Sequence, residues 1–185
     1  MIILRCVLAT ALVITGGQKT SSQQAPSPTK PAPPASCPVT PRRKTAFIPP
    51  APYQNQTELS EQVFLIGTES LWTYLSEPMV WAWAPHRPGH EQDLTQKVFW
   101  FRVGYSARNE PVPKLRVAGR RLDGPAPPLE HPQGIATNGI LGEQVSSMLT
   151  GVYVPTPGCW EITGDYEGDK LSFVVWVEPA QPQSQ

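Results

Sequence analysis

Residues 170–178 read Lys-Leu-Ser-Phe-Val-Val-Trp-Val-Glu, and their alternation decides the fold. Leu171, Phe173, Val175 and Val177 stand two apart, which puts them on one face of an extended strand and Ser172, Val174 and Trp176 on the other. Branched and aromatic residues dominate, as a half-buried pleated surface requires. The same period recurs upstream in short runs at 62–67, 71–75, 79–84, 95–105, 114–122, 151–154 and 159–163, punctuated by Pro and Gly. Thirteen prolines beyond Pro52, with no 3.6-residue apolar stripe, argue against long helices. Only residues 142–148 leave room for a helical turn. Without crossover helices the strands are expected to pair antiparallel, giving an all-β sandwich over 53–180. Leu171, Phe173, Val175, Val177, Trp160 and Ile162 are its expected core.

The first fifty residues have a different character. One positive charge at Arg5 precedes an apolar run over 6–15, and Gly16-Gly17 supplies the small residues a signal peptidase accepts. A membrane-spanning helix needs roughly 20 apolar residues, so this run reads as a cleavable signal over 1–17. No second stretch is long enough to span, and the product is expected outside the cytoplasm. Ten prolines lie between Ala25 and Pro52 among Ser, Thr, Ala and Lys, and the expectation over 18–52 is a disordered, largely polyproline II stem. Phe47, Ile48 and Tyr53 are candidates to dock on the domain. Residues 181–185 are expected as a disordered tail.

The chain has 185 residues and a formal net charge of zero, but the charges are unevenly placed. Residues 1–57 hold six basic side chains and no acidic one, so the remainder is net negative. Arg42-Arg43-Lys44 reads as a solvated linker or as a tether for an anionic envelope polymer. Three charges without interleaved aromatics do not make a nucleic-acid surface. Of three cysteines, Cys6 leaves with the signal. Cys37 and Cys159 are then either a disulfide pinning stem to domain, as an oxidising compartment permits, or separate residues with Cys159 buried as a small apolar side chain.

The segment Tyr153-Val154-Pro155-Thr156-Pro157-Gly158-Cys159-Trp160-Glu161-Ile162-Thr163, followed by Leu171–Val175, resembles the C-terminal hairpin of a group of exported, uncharacterised bacterial proteins with an immunoglobulin-like domain. Residues 97–102 and 119–124 extend the likeness, which covers roughly 60–177. It implies an immunoglobulin-like antiparallel sandwich and an exported location. It implies no activity, because fold alone does not give function.

No catalytic constellation has the spacing its chemistry needs. A Gly-x-Ser-x-Gly elbow and a phosphate-binding loop are both missing, and Cys159 beside Trp160 on a strand is a poor thiolate. The expectation is therefore a protein that is not an enzyme and carries no cofactor. His86 and His90, four apart with Glu91 and Asp93 nearby, are candidate metal ligands, but Pro85, Pro88 and Gly89 break the helix that would converge them. Trp81 and Trp83 share one strand face. Exposed, they would offer a protein or glycan partner a platform; turned inward, they are core. Arg120, Arg121 and Asp123 form a corner where a bidentate arginine–carboxylate pair is expected to lock the loop to the sheet, the alternative being a carboxylate- or phosphate-binding spot. Three functional readings follow: an exported binding module using Trp81 and Trp83, a periplasmic metal-binding protein using His86 and His90, and a structural envelope protein.

Overall fold

A computed structural model describes residues 32–55, 60–83, 95–129, 136–141 and 145–179. The expected signal 1–17, the first part of the stem and the tail 181–185 lie outside the described residues. The described chain forms β1 (Val63–Gly67), β2 (Leu71–Ser76), β3 (Val80–Ala82), β4 (Gln96–Arg102), β5 (Arg116–Arg121), β6 (Thr137–Leu141), β7 (Val145–Val152), β8 (Gly158–Tyr166) and β9 (Asp169–Glu178). They make a five-stranded sheet, β1-β2-β4-β7-β6, and a four-stranded sheet, β3-β9-β8-β5. With β1 set aside, β2-β4-β7-β6 facing β9-β8-β5 is the A-B-E-D against G-F-C order of an immunoglobulin sandwich. Among the described residues no helix is long and apolar enough to cross a membrane.

The predicted alternation of the final strand is found in β9, where Leu171, Phe173, Val175 and Val177 are all buried. Trp160 and Ile162 of β8 and Trp100 of β4 are wholly buried between the sheets. Each buried tryptophan is worth about 4–6 kcal/mol of transfer free energy, so these rings dominate the core. Both indoles also satisfy their N–H groups: Trp100 Nε1 donates to Thr150 Oγ1 at 3.0 Å and Trp160 Nε1 to the Thr156 carbonyl at 2.9 Å. The Trp100 ring lies so near β8 that a methyl group on Gly164 would come within 2.5 Å of it.

Two expectations about the strands are corrected. Residues 142–148 hold no helical turn in their described part, because β7 begins at Val145 and pairs with β6, a strand the sequence did not reveal. Nor are all strands antiparallel. Strand β3 runs parallel to β9, with Val80 opposite Trp176 and Ala82 opposite Glu178. The cause is a crossing. After Ser76 the chain turns, with Met79 N–H bonded to the Ser76 carbonyl and Met79 at φ 62°, and passes from the first sheet to the second. The buried Met79 side chain holds the turn, and its carbonyl accepts Trp176 N–H at 3.0 Å.

The second part of the stem takes a different course from the free spacer expected of it. Cys37 is bridged to Cys159, with Cα atoms 5.5 Å apart, so the first of the two cysteine readings holds. Thr40 then pairs with β9 in both directions: its N–H donates to the Val174 carbonyl and its hydroxyl accepts Val174 N–H. Arg42 donates to the Glu61 and Val63 carbonyls, forms an ion pair with Glu77 at 3.4 Å and covers the Phe64 ring. Phe47 reaches Gly67, Pro49 is buried, and Tyr53 packs on Trp72 with ring centroids 5.3 Å apart. Its hydroxyl accepts Gly104 N–H at 2.7 Å. Residues 37–53 thus run from the outer face of one sheet to that of the other. In an entropic account, closing a loop of 122 residues with the disulfide disfavours the unfolded chain by about 5 kcal/mol.

Two outcomes test this arrangement. Gly164→Ala should cost about 1–3 kcal/mol in urea unfolding by overpacking Trp100; an unchanged midpoint would contradict the close approach. Trypsin should nick the exposed segment after Arg43 or Lys44, and the Cys37 peptide should stay bound to the chain until reductant is added. Its release without reductant would rule out the bridge.

Candidate functional site

The crossing from sheet to sheet leaves an opening. Strands β2 and β4 pair only over 71–73 against 100–102. Beyond that point side chains replace the ladder: the buried Thr73 hydroxyl donates to the Phe99 carbonyl at 2.7 Å, and the Tyr74 ring stacks on Phe99 with centroids 5.7 Å apart. Past these contacts lies a cleft of about 210 Å³ walled by β2, β4 and, from the other sheet, β3. Tyr74, Ser76, Trp81, Thr95, Gln96 and Lys97 are among the residues that line it.

Backbone groups also face this space. Thr68 N–H bonds to the Leu71 carbonyl and Glu77 N–H to the Gln62 carbonyl, which fixes the bonded pairs of the β1–β2 ladder. By alternation, the N–H and C=O of Tyr74 and Ser76 point away from β1, towards the cleft. Burial pushes the Tyr74 phenol above its ordinary pKa, so it stays a neutral donor and acceptor. Among the described residues Lys97 is the one charged side chain in the lining. The described residues offer two aromatic rings, three hydroxyls, an amide, an ammonium and strand-edge backbone, with no paired carboxylates and no nucleophile–base pair among them.

The two tryptophans singled out in the sequence part company. Trp81 shares the inward face with Val177, meets Phe173 edge-on at 5.9 Å, and is half-buried with part of its surface in the cleft. Trp83 is half-buried at the margin of the core, and its Nε1 donates to the Val154 carbonyl at 3.0 Å. They do not form an open outer platform, because the alternation of β3 turns that face towards the opposite sheet. His86 and His90 lie outside the described residues, as does His131. Among the described residues no group of three His, Cys, Asp or Glu side chains is placed to hold a metal ion.

The Thr-Pro-Gly-Cys-Trp-Glu stretch has a structural explanation. Gly158 has φ 142° and sits where a side chain would strike Arg121 and Asp123, 2.5 and 2.9 Å from a built methyl group. Arg121 Nε donates to Asp123 Oδ1 at 2.6 Å, and Glu161 pairs with Arg120 at 2.7 Å. The Arg121 guanidinium, aided by the Cys159 backbone N–H, holds the Asp123 carboxyl below its usual range. The expected arginine–carboxylate lock is present, made through one nitrogen and directed at the disulfide strand.

A second polar cluster, which the sequence did not reveal, closes the opposite end. Tyr166 donates to Glu110, whose other carboxylate oxygen accepts Lys114 N–H at 2.6 Å. Tyr105 donates to Asn138, which donates in turn to the Glu110 and Pro111 carbonyls. Arg102 stacks over Tyr166, its guanidinium carbon 4.4 Å from the ring centroid. These bonds tie the β4–β5 connection to β6 and β8. Neither tyrosine faces the cleft, so the cluster's role is to hold a loop.

Compared with protein-family models, curated proteins and solved structures, the chain matches none. Its functional reading therefore rests on the sequence and the geometry.

Burial and the nearby Glu110 carboxylate push Tyr105 up to about 12; burial and the bond to Glu110 do the same for Tyr166. A tyrosine raised above its unfolded value near 10 retains its proton in the fold while the unfolded chain loses one. The tyrosines' contribution to stability should therefore be level below pH 10 and fall between pH 10 and 12. Tyr105→Phe and Tyr166→Phe should flatten that fall in denaturant titrations, and a slope unaltered in both would remove these groups as its cause.

Proposed function

We propose that this chain is an exported binding module, not an enzyme, presented on a tethered proline-rich stem and engaging a protein or glycan partner through the cleft between β2 and β4. The observation that carries the reading is the opening itself, where Tyr74 and Trp81 stand beside the Ser76 hydroxyl, the Gln96 amide and the Lys97 ammonium. The buried Cys37–Cys159 bridge fits an oxidising compartment outside the cytoplasm. The described residues of the lining include one charged side chain and no acid–base partner for it, which favours recognition over chemistry. We place the chain with the exported immunoglobulin-like proteins that its Pro-Gly-Cys-Trp-Glu hairpin resembles.

The test is to fill the cleft. Ser76 is exposed, so Ser76→Trp should leave the fold intact and block the opening. Arrays of envelope glycans and purified envelope proteins should show a ligand that the wild-type chain binds, that Ser76→Trp loses at least tenfold, and that the remote Lys170→Ala retains. A ligand bound equally by all three would place recognition elsewhere on the molecule.

A further inference from the structure

We infer that the cleft takes one carboxylate-bearing sugar unit, a uronic acid residue of a longer anionic glycan. The inference rests on the binding reading above and specifies its ligand. Size is the first constraint. A volume of about 210 Å³ lies below the roughly 300–1,000 Å³ of pockets that enclose drug-sized molecules. It suits a single ring, with the rest of the polymer continuing into solvent through the open side.

Lining chemistry is the second constraint. A pyranose presents a flat C–H face and an equatorial rim of hydroxyls. The half-buried Trp81 and Tyr74 supply ring surface for the first. The Ser76 hydroxyl, the Gln96 amide and the strand-edge N–H groups of Tyr74 and Ser76 supply donors and acceptors for the second, while the Thr95 hydroxyl and the Ser76 carbonyl are held by Val154 N–H and Met79 N–H. An apolar peptide side chain would leave the former groups desolvated and without partners.

Charge is the third. Lys97 is exposed at the mouth, and among the described residues no carboxylate belongs to the lining. Among the described residues the neighbouring acidic side chains point elsewhere: Glu77 is paired with Arg42 at 3.4 Å, and Glu178 lies opposite Ala82 on the face that alternates away from Val177; Glu91 and Asp93 lie outside the described residues. A cationic mouth on a domain of net negative charge selects an anion locally while the rest of the surface repels it. A carboxylate on the ring supplies that anion and fixes the ring's orientation.

Calorimetric titration of the full mature chain with a glucuronate-containing tetrasaccharide tests the inference, with a neutral glucose tetramer and acetate as comparators. The uronate oligomer should bind, the neutral oligomer at least tenfold more weakly, and acetate should not compete. Lys97→Gln should reduce uronate affinity about tenfold, the loss of one charge-assisted hydrogen bond, and leave the neutral affinity unchanged. Lys97 is exposed, so this variant does not threaten the fold. Equal binding of charged and neutral oligomers, competition by acetate, or no sugar binding at all would overturn the inference. If Ser76→Trp still abolished capture of a different ligand, the module reading would survive without it.

Discussion

The chain must change sheets between Ser76 and Val80, and most of what distinguishes this sandwich follows from that crossing. A strand that leaves one sheet for the other cannot finish its ladder with β4, so the pairing stops at Thr73 and Trp100. It arrives beside β9 travelling in the same direction, hence one parallel pair in an otherwise antiparallel arrangement. The turn holds a buried methionine in the left-handed region, where β-carbon crowding disfavours most residues. The cleft is the space this geometry leaves behind.

The proline-rich belt addresses a different problem. A free β9 edge would present unpaired backbone groups to any passing strand. Thr40 occupies that edge at Val174, and the start of β3 occupies it from Trp176 onward. On the other sheet, Trp72 and Phe101 lie stacked on the outer face, and Tyr53 covers the first of them. Buried aromatics on an outer face need a cover, and the extended stem supplies it without forming a strand. Proline suits that task because it costs little entropy to hold extended.

Much of the fold was legible because alternation is a local property. The face defined by Leu171, Phe173, Val175 and Val177 needs no partner to be read, and neither do the punctuating prolines. Strand β6 was not legible: Thr-Asn-Gly-Ile-Leu carries little apolar alternation and owes its extended form to β7. The site was harder still. Trp81 was visible as an aromatic on a strand, but whether that strand lay beneath a sheet or beneath a gap depended on where β2 ended its pairing. Ser76, Gln96 and Lys97 have no local signature; they converge because strands distant in sequence diverge in space. Cys37 could be matched to Cys159 only as one of two readings, since a bridge depends on where the extended segment passes.

The bridge also governs how the molecule bears a load. Cys37 lies in the segment that would link this domain to whatever precedes it, and Cys159 opens β8, flanked by β5 and β9 within its sheet. Tension arriving through the stem therefore enters the middle of a sheet through a covalent bond and bypasses the 122-residue loop between the cysteines. That loop would otherwise yield about 430 Å of slack at roughly 3.5 Å per residue. With the bond intact, only the chain beyond Cys159 can pay out, and residues 160–185 amount to about 90 Å. The disulfide makes the stem a short, stiff leash, and a pull on it meets the strength of the β8–β9 ladder before any other part of the domain.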